Sequence, residues 1–161
     1  MGPHLMIGIT RNFSVSYQLG DTARVSGFET LLPAQFQSFR LVHDGKLPLI
    51  ALDYTEYEQG STGNTELEVT ALLALDGFAV PLARVVRKLW RNSQGNYDPA
   101  CEDFQYYSID FSRGLSVKHG RISIGEGVYK YSSNINCEQS KLVQMLAGGH
   151  YEVRDYLLIR Q

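Results

Sequence analysis

The sequence predicts a single α+β domain with a mainly antiparallel, curled or barrel-like β-sheet and two or three helices. The chain has 161 residues, a length typical of one domain, and its 43% hydrophobic and 20% charged residues are typical of a chain that folds alone. Segments that alternate apolar and polar residues are separated by turn residues, which predicts about eight strands, several in sequential hairpins. Further segments favour helices, and an antiparallel sheet with separate helices is the α+β class.

Alternation predicts strands joined by tight turns in the first half of the chain. Turn residues such as Asp-Gly mark where one strand ends and the next begins. In order, we expect a strand at 7–19, a short irregular helix within 27–36 broken at Pro33, strands at 39–42 and 47–58 around Asp44-Gly45, a turn at 59–64 and a strand at 65–75.

The second half combines two helical segments with further strands. Pro81 suits a first helical position, and Leu82, Val85, Val86 and Leu89 follow at helical spacing, so we expect a helix over 81–91. Beyond it we expect a loop at 93–103, a strand around 107–112, a hairpin of 115–118 and 121–131 across His119-Gly120, a helix at 137–146 ended by Gly148-Gly149, and a strand at 150–160.

Charge and cysteine content bound the class of protein. Fifteen Lys and Arg against seventeen Asp and Glu give a net charge of −2 and no overall basic field, so nucleic acid is disfavoured although a local patch leaves it open. The two cysteines, Cys101 and Cys137, fit a reducing cytosol, with one bridge left open. We expect a soluble, cytoplasmic protein without a membrane span, and residues 1–5 resemble a cloning remnant.

A face rich in carboxylates is predicted on the hairpin around the 59–64 turn. A symmetric turn gives three cross-strand pairs: Tyr57 with Glu66, Thr55 with Glu68, and Asp53 with Thr70. One face then carries Asp53, Glu66 and Glu68, and repulsion between close carboxylates raises the pKa of one of them, as a general acid requires. The alternative is the solvated face of an ordinary antiparallel pair.

A basic stripe is predicted on the 81–91 helix. Arg84, Arg87, Lys88 and Arg91 stand at i, i+3, i+4 and i+7, which aligns them on one helical face opposite the apolar one. Such a stripe can bind phosphate or an acidic partner, whereas the simpler interpretation is a solvated helix face.

Other motifs point away from metal and cofactor chemistry. The histidines are scattered, and no Cys or His pair has zinc-ligand spacing, so we expect no metal and no cofactor. GRISIGEG has glycines without the spacing of a phosphate-binding loop and is typical of a bent strand. The ten tyrosines and seven phenylalanines suit an aromatic-lined cavity or a plain core.

Four segments resemble, in order, the first half of the acetoacetate decarboxylase-like family. They span roughly residues 13–92 and are FSVSYQLGD, LLPAQF, LPLIALDYTEYEQGSTGNTELEVTALLALDG and ARVVRKLW. The resemblance implies a curled antiparallel β-barrel around a pocket. Because members of the family are usually longer, it also implies a barrel that is partly missing or completed by a second subunit.

The resemblance also implies candidate catalytic residues. The family's pocket glutamate corresponds to Glu66, and its first-strand arginine falls near Gln18. The family forms a Schiff base on a lysine shortly after the ARVVRKLW-like segment, but here the chain continues RNSQGN without a Pro-Lys pair. Lys88 or Lys118 would have to supply that amine.

These observations predict a protein that binds a small organic molecule, with Asp53, Tyr57, Glu68 and Gln18 as ligand contacts. If it is an enzyme, we expect lyase, cyclase or isomerase chemistry on a carbonyl compound, with Glu66, Lys88 and Lys118 as catalytic candidates. The alternative is a non-enzymatic protein that binds an acidic partner or nucleic acid through the basic helix. A third hypothesis is a homo-oligomer paired through an open sheet edge.

Overall fold

A computed structural model describes residues 4–9, 12–19, 22–29, 33–42, 49–75, 79–118, 121–155 and 157–161. Nearly all of these residues lie in antiparallel β-strands, and the described ranges contain no helix. The predicted α+β class is therefore wrong, although its antiparallel sheet is present. Within the same ranges, no helix is long and apolar enough to cross a membrane.

The strands form a three-stranded sheet and a nine-stranded sheet. They are β1 (His4–Ile9), β2 (Asn12–Leu19), β3 (Thr22–Glu29), β4 (Ala34–Val42), β5 (Leu49–Gln59), β6 (Gly63–Leu75), β7 (Ala79–Asp98), β8 (Asp103–Lys118), β9 (Arg121–Ile135), β10 (Glu138–Leu146), β11 (Gly149–Arg154) and β12 (Leu157–Arg160). The small sheet has the order β1-β2-β3. The large sheet has the order β12-β11-β9-β8-β7-β6-β5-β4, and β10 also pairs with β9.

Three predicted hairpins are confirmed. Strands β4 and β5 pair antiparallel around the Asp44-Gly45 segment, which itself lies outside the described residues. Strands β5 and β6 pair around the 59–64 turn, where the Gly60 amide donates to the Gly63 carbonyl at 2.8 Å. Strands β8 and β9 pair up to Lys118 and Arg121, on either side of the undescribed His119-Gly120.

Near each end of the chain, the structure has two strands where the sequence predicted one. The 7–19 segment is two paired strands, β1 and β2, and the 150–160 segment is the β11–β12 hairpin. The short helix predicted within 27–36 is also wrong for the described residues, since 27–29 belong to β3 and 34–36 to β4, while 30–32 lie outside the described residues. Most of the predicted 93–103 loop is strand, since β7 continues to Asp98 before a four-residue turn.

The predicted helix over 81–91 is wrong, since these residues lie within β7. Adjacent Val85 and Val86 pack into different cores on opposite faces of the sheet, as neighbours in a strand do. Register shifts opposite Glu68/Val69 and Leu72/Leu73 break strict alternation. The bulged strand therefore spaces its apolar residues much as a helix would.

The predicted helix over 137–146 is also wrong. Asn136 and Cys137 have positive φ angles of 54° and 63° and form a turn, after which β10 pairs with β9 from Glu138 to Leu146. Leu142, Val143, Met145 and Leu146 have the spacing of a helical face, but in β10 they fall on both faces of an exposed strand. Pairing with β9 provides hydrogen-bond partners for backbone N–H and C=O groups that a helix would have paired internally.

Two hydrophobic cores lie on opposite faces of the β5–β6 hairpin. The first contains Ile50, Leu52, Tyr54, Val69, Ala71 and Leu73. The second contains Ala51, Leu72, Val85, Val117 and Ile122, with Leu158 of β12 packed against it. Because β12 and β5 lie far apart in the strand order, the sheet curls at this end to bring them into one core, although its order stays open.

A disulfide joins the turns that follow β7 and β9. Cys101 and Cys137 have their Cα atoms 5.2 Å apart, within the usual range for a bridge, and are 36 residues apart in sequence. The sequence had left this bridge open. Structural disulfides are typical of oxidising compartments, and the cytoplasmic location stays a prediction.

Removing this bridge should lower stability. The Cys101→Ser/Cys137→Ser variant should lose roughly 3–4 kcal/mol of unfolding free energy, because the unfolded chain regains the freedom of a long loop. Urea unfolding of both proteins measures the difference. Dithiothreitol should destabilise the wild type and leave the double variant unchanged, whereas two reactive thiols in the unreduced native protein would contradict the bridge.

Candidate functional site

The β5–β6 hairpin has the register that the symmetric turn predicts. Tyr57 lies opposite Glu66, Thr55 opposite Glu68, and Asp53 opposite Thr70. Asp53 and Glu68 share a cluster with three cations, described below, but Glu66 does not join it. Glu66 is exposed and lies between Tyr57 on β5 and Trp90 on β7.

Asp53 is the most buried of the predicted carboxylates, with 9% of its surface exposed. The Thr70 hydroxyl donates to its Oδ1 at 2.5 Å, and the Ser38 hydroxyl donates to its Oδ2 at 3.2 Å. The guanidinium groups of Arg40 and Arg87 lie 3.7 and 3.8 Å from the same carboxylate. Asp53 is therefore surrounded by hydrogen-bond donors and cations.

Glu68 forms ion pairs with two cations of β7. Lys88 Nζ lies 2.9 Å from Glu68 Oε1, and Arg87 Nη1 lies 3.8 Å from Oε2. Arg87 thus contacts both Asp53 and Glu68. A cation between two carboxylates offsets the repulsion between them, and the general acid stays a prediction.

The predicted basic stripe is divided between the two faces of β7. Arg87 and Lys88 adjoin a register shift and both reach the carboxylates on one face. On the other face Arg84 pairs with Glu56, and the Arg91 guanidinium lies 5.8 Å from the centre of the Tyr107 ring. In a strand, successive side chains point to opposite faces of the sheet. A spacing that aligns residues on one face of a helix therefore separates them here.

The remaining predicted residues lie elsewhere. Gln18 belongs to β2 of the small sheet, opposite His4 and Ala23. Lys118 is the last residue of β8 and lies opposite Arg121. Lys88 is ion-paired with Glu68 at the surface of the sheet.

A buried ion pair lies on the other face of the hairpin. Glu56 is fully buried, and its Oε2 lies 2.9 Å from Arg84 Nη2, while 29% of the Arg84 side chain is exposed. Burial raises the pKa of Tyr54 beside them to about 12, although Arg84 opposes the change. Burial lowers the pKa of Arg84, but the hydrogen bonds and charge interactions of Arg84 with Glu56 and Tyr54 together outweigh the effect of burial, so the net change is upward.

A cleft of about 650 Å³ lies at the other end of the hairpin. Strand β6 begins at Gly63 opposite Ser93, while β7 and β8 extend further, so the 59–63 turn and this extension form a step in the sheet. We call this space the turn cleft. It is lined by Gln59, Gly60, Ser61, Thr62, Gly63, Asn64, Asn92, Ser93, Gln94, Asp103, Phe104, Tyr106, Tyr107 and Ser108.

Hydrogen bonds fix the walls of the turn cleft. The Gln94 amide donates to the Thr62 carbonyl at 2.7 Å, and the Asn64 amide donates to the Asn92 side-chain oxygen at 3.0 Å. A Cβ at Gly63 would lie 2.2 Å from the Asn92 carbonyl oxygen, so only glycine lets the turn approach β7 this closely. These bonds hold the cleft in one shape.

The turn cleft was not predicted from the sequence, although part of its signal is present there. The turn-rich segments at 59–64 and 93–103 were identified, but as separate loops. These two segments lie together because β7 extends beyond the start of β6. That extension follows from strand pairing in the folded protein and not from composition. Two of the lining aromatic residues, Phe104 and Tyr106, are 46% and 39% exposed, so they are not core residues.

One group among the described residues has metal-ligand atoms close together. The side-chain ligand atoms of Asp98, Cys101 and Cys137 lie within 4.8 Å of one another. The disulfide uses both sulfurs, and the Asp98 oxygens accept hydrogen bonds from Ala100 and Gln105. The bridged group therefore has no thiolate to offer a metal.

Comparisons with protein-family models, with curated proteins and with solved structures found no match to this chain.

Breaking the buried ion pair should be costly. Arg84→Met should lose about 3–5 kcal/mol of unfolding free energy, because it leaves the Glu56 charge buried and unpaired. The double variant Glu56→Leu/Arg84→Met should be more stable than Arg84→Met, as urea unfolding would measure. Lys88→Met, which removes a cation that is 62% exposed, should cost less than about 1 kcal/mol. Equal losses for Arg84→Met and Lys88→Met would contradict the burial argument.

Tyr54 should make stability sensitive to alkaline pH. Its pKa is raised to about 12, so its contribution is fully present below about pH 10 and is lost as the pH rises through 12. Tyr54→Phe should therefore show a shallower fall of unfolding free energy over this range, measured by urea unfolding at successive pH values. Tyr57→Phe, at a site that is 51% exposed, should keep the wild-type slope.

Proposed function

We propose that this protein binds a small, neutral, hydroxyl-rich molecule of the saccharide class in the turn cleft. The observation that carries the proposal is the lining of the cleft, which combines exposed aromatic rings with side-chain amides and hydroxyls. Its volume of about 650 Å³ lies within the range of small-molecule sites.

The aromatic side chains supply flat apolar surfaces. Phe104 and Tyr106 of β8 are partly exposed, and Phe104 packs edge-on against Tyr97, with ring centres 5.3 Å apart. A ring held in this way can stack against the C–H face of a sugar ring and loses little side-chain entropy on binding.

The polar side chains supply donors and acceptors at the rim. The amides of Gln59, Asn64, Asn92 and Gln94 offer both kinds of group, which matches the dual character of sugar hydroxyls. The hydroxyls of the 59–63 turn add further partners. Because the turn is fixed to β7, these groups need little reorganisation when a ligand binds.

Charge favours a neutral ligand. Asp103 is the single acidic residue among the lining residues, and none of them is Lys, Arg or His. The Asn134 side-chain amide donates to Asp103 Oδ2 at 3.0 Å, which holds this carboxylate in place as an acceptor. A site without a cation binds anions poorly, whereas an oriented carboxylate can accept two hydroxyls of one sugar.

The same lining favours binding over catalysis. Acid–base chemistry on a carbonyl compound needs two titratable groups in reach of one substrate, and Schiff-base chemistry needs an amine. The turn cleft offers one carboxylate and no amine. The small-molecule binding predicted from the sequence is kept in this proposal, but its site moves from Asp53 and Glu68 to the end of the hairpin.

A saccharide panel tests the proposal. Titration with neutral mono- and disaccharides, followed by calorimetry or ligand-observed NMR, should reveal at least one with a Kd below about 10 mM. Phe104→Ala should raise that Kd roughly tenfold, because it removes a stacking surface.

Trp90→Ala is the matched control. Trp90 is exposed to a similar extent, 44%, and lies outside the turn cleft, so its variant should bind as the wild type does. If no saccharide of the panel binds, or if both variants lose affinity equally, the proposed function is wrong.

A further inference from the structure

Strand β10 is an open edge of the large sheet. It pairs with β9 along its full length, from Glu138 opposite Ile135 to Leu146 opposite Gly127. Strand β12 pairs with β11 alone, and no described strand pairs with the outer side of β10. The backbone groups on that side are therefore available to another strand.

The side chains of β10 are unusually apolar for an exposed edge. Every residue of the strand is exposed, and Leu142, Val143 and Met145 are 50%, 66% and 58% exposed. The run from 142 to 146 contains no charge. Natural edge strands avoid pairing by being short or by carrying charges, proline or bulges. Strand β10 has nine residues, no proline and no register shift, and its two charges, Glu138 and Lys141, both precede the apolar run.

The other edges of the large sheet are protected. Strand β4 has a register shift between Phe36 and Ser38 and carries the 48% exposed Arg40. Strand β12 has four residues. Strand β10, with nine residues, is the edge in the described sheet that best fits a partner strand.

We propose that β10 pairs antiparallel with β10 of a second copy of this chain, with Leu142 opposite Leu142 at a two-fold axis. The axis runs perpendicular to the sheet, so each face of one copy continues into the same face of the other. This register uses all nine residues of the strand. Ser140 then lies opposite Gln144, and Lys141 opposite Val143.

Charge complementarity favours this register. A two-fold axis at Lys141 would place two lysines directly opposite each other, which destabilises a strand pair. With the axis at Leu142, Glu138 of each copy lies opposite Leu146 of the other, close to where Arg160 donates to the Gly148 carbonyl at 3.2 Å. Glu138 can therefore meet a cation of the second copy.

Opposite charges at the axis test the proposal. Leu142→Glu and Leu142→Lys each place like charges opposite each other, so each variant alone should have a dimer Kd at least tenfold above that of the wild type, measured by analytical ultracentrifugation. An equimolar mixture should restore association to within about threefold of the wild type, because Glu then faces Lys. Recovery on mixing also excludes misfolding as the cause of the loss.

The control is Leu157→Glu, at a 64% exposed site on β12, which should dimerise as the wild type does. A wild-type protein that stays monomeric at all concentrations tested would overturn the proposal. So would single variants that still dimerise, or a mixture that stays monomeric. Saccharide binding is read separately, so the two proposals can fail independently.

Discussion

The register of the β5–β6 hairpin is the constraint on which the rest of the structure depends. It places Ile50, Leu52 and Tyr54 on one face and Ala51 and Asp53 on the other, so each face has its own core. A slip of one residue would exchange the faces and bury Asp53 and Thr55 where leucine and tyrosine now pack. Because both faces are buried, this exchange would cost too much free energy. The same register therefore also determines where the polar side chains lie.

Charge is distributed over this sheet in opposite pairs. Asp53 and Glu68 meet Arg87 on one face, and Glu56 meets Arg84 on the other. Each of these carboxylates therefore has a cation partner within the sheet, so its charge is less available to a ligand. The turn cleft has few charges and exposed aromatic rings, so its groups remain available to a ligand.

The sequence allowed the hairpins to be predicted but not the helix-like segments. Turn residues at 59–64 determine the pairing of Tyr57 with Glu66 locally, because a symmetric turn leaves one register. The 81–91 segment has apolar residues at spacings that suit both a helix and a bulged strand, and pairing with β6 and β8 decides between them. The turn cleft could not be predicted because it depends on the relative lengths of paired strands.

The order of the strands has a consequence for how the chain folds. In the large sheet every pairing except that of β9 with β11 joins strands that are neighbours in sequence. Each new strand therefore closes a short loop, whose entropic cost is small. The sheet can therefore add one strand at a time to an existing edge. The order of addition can be the order in which the ribosome synthesises the strands.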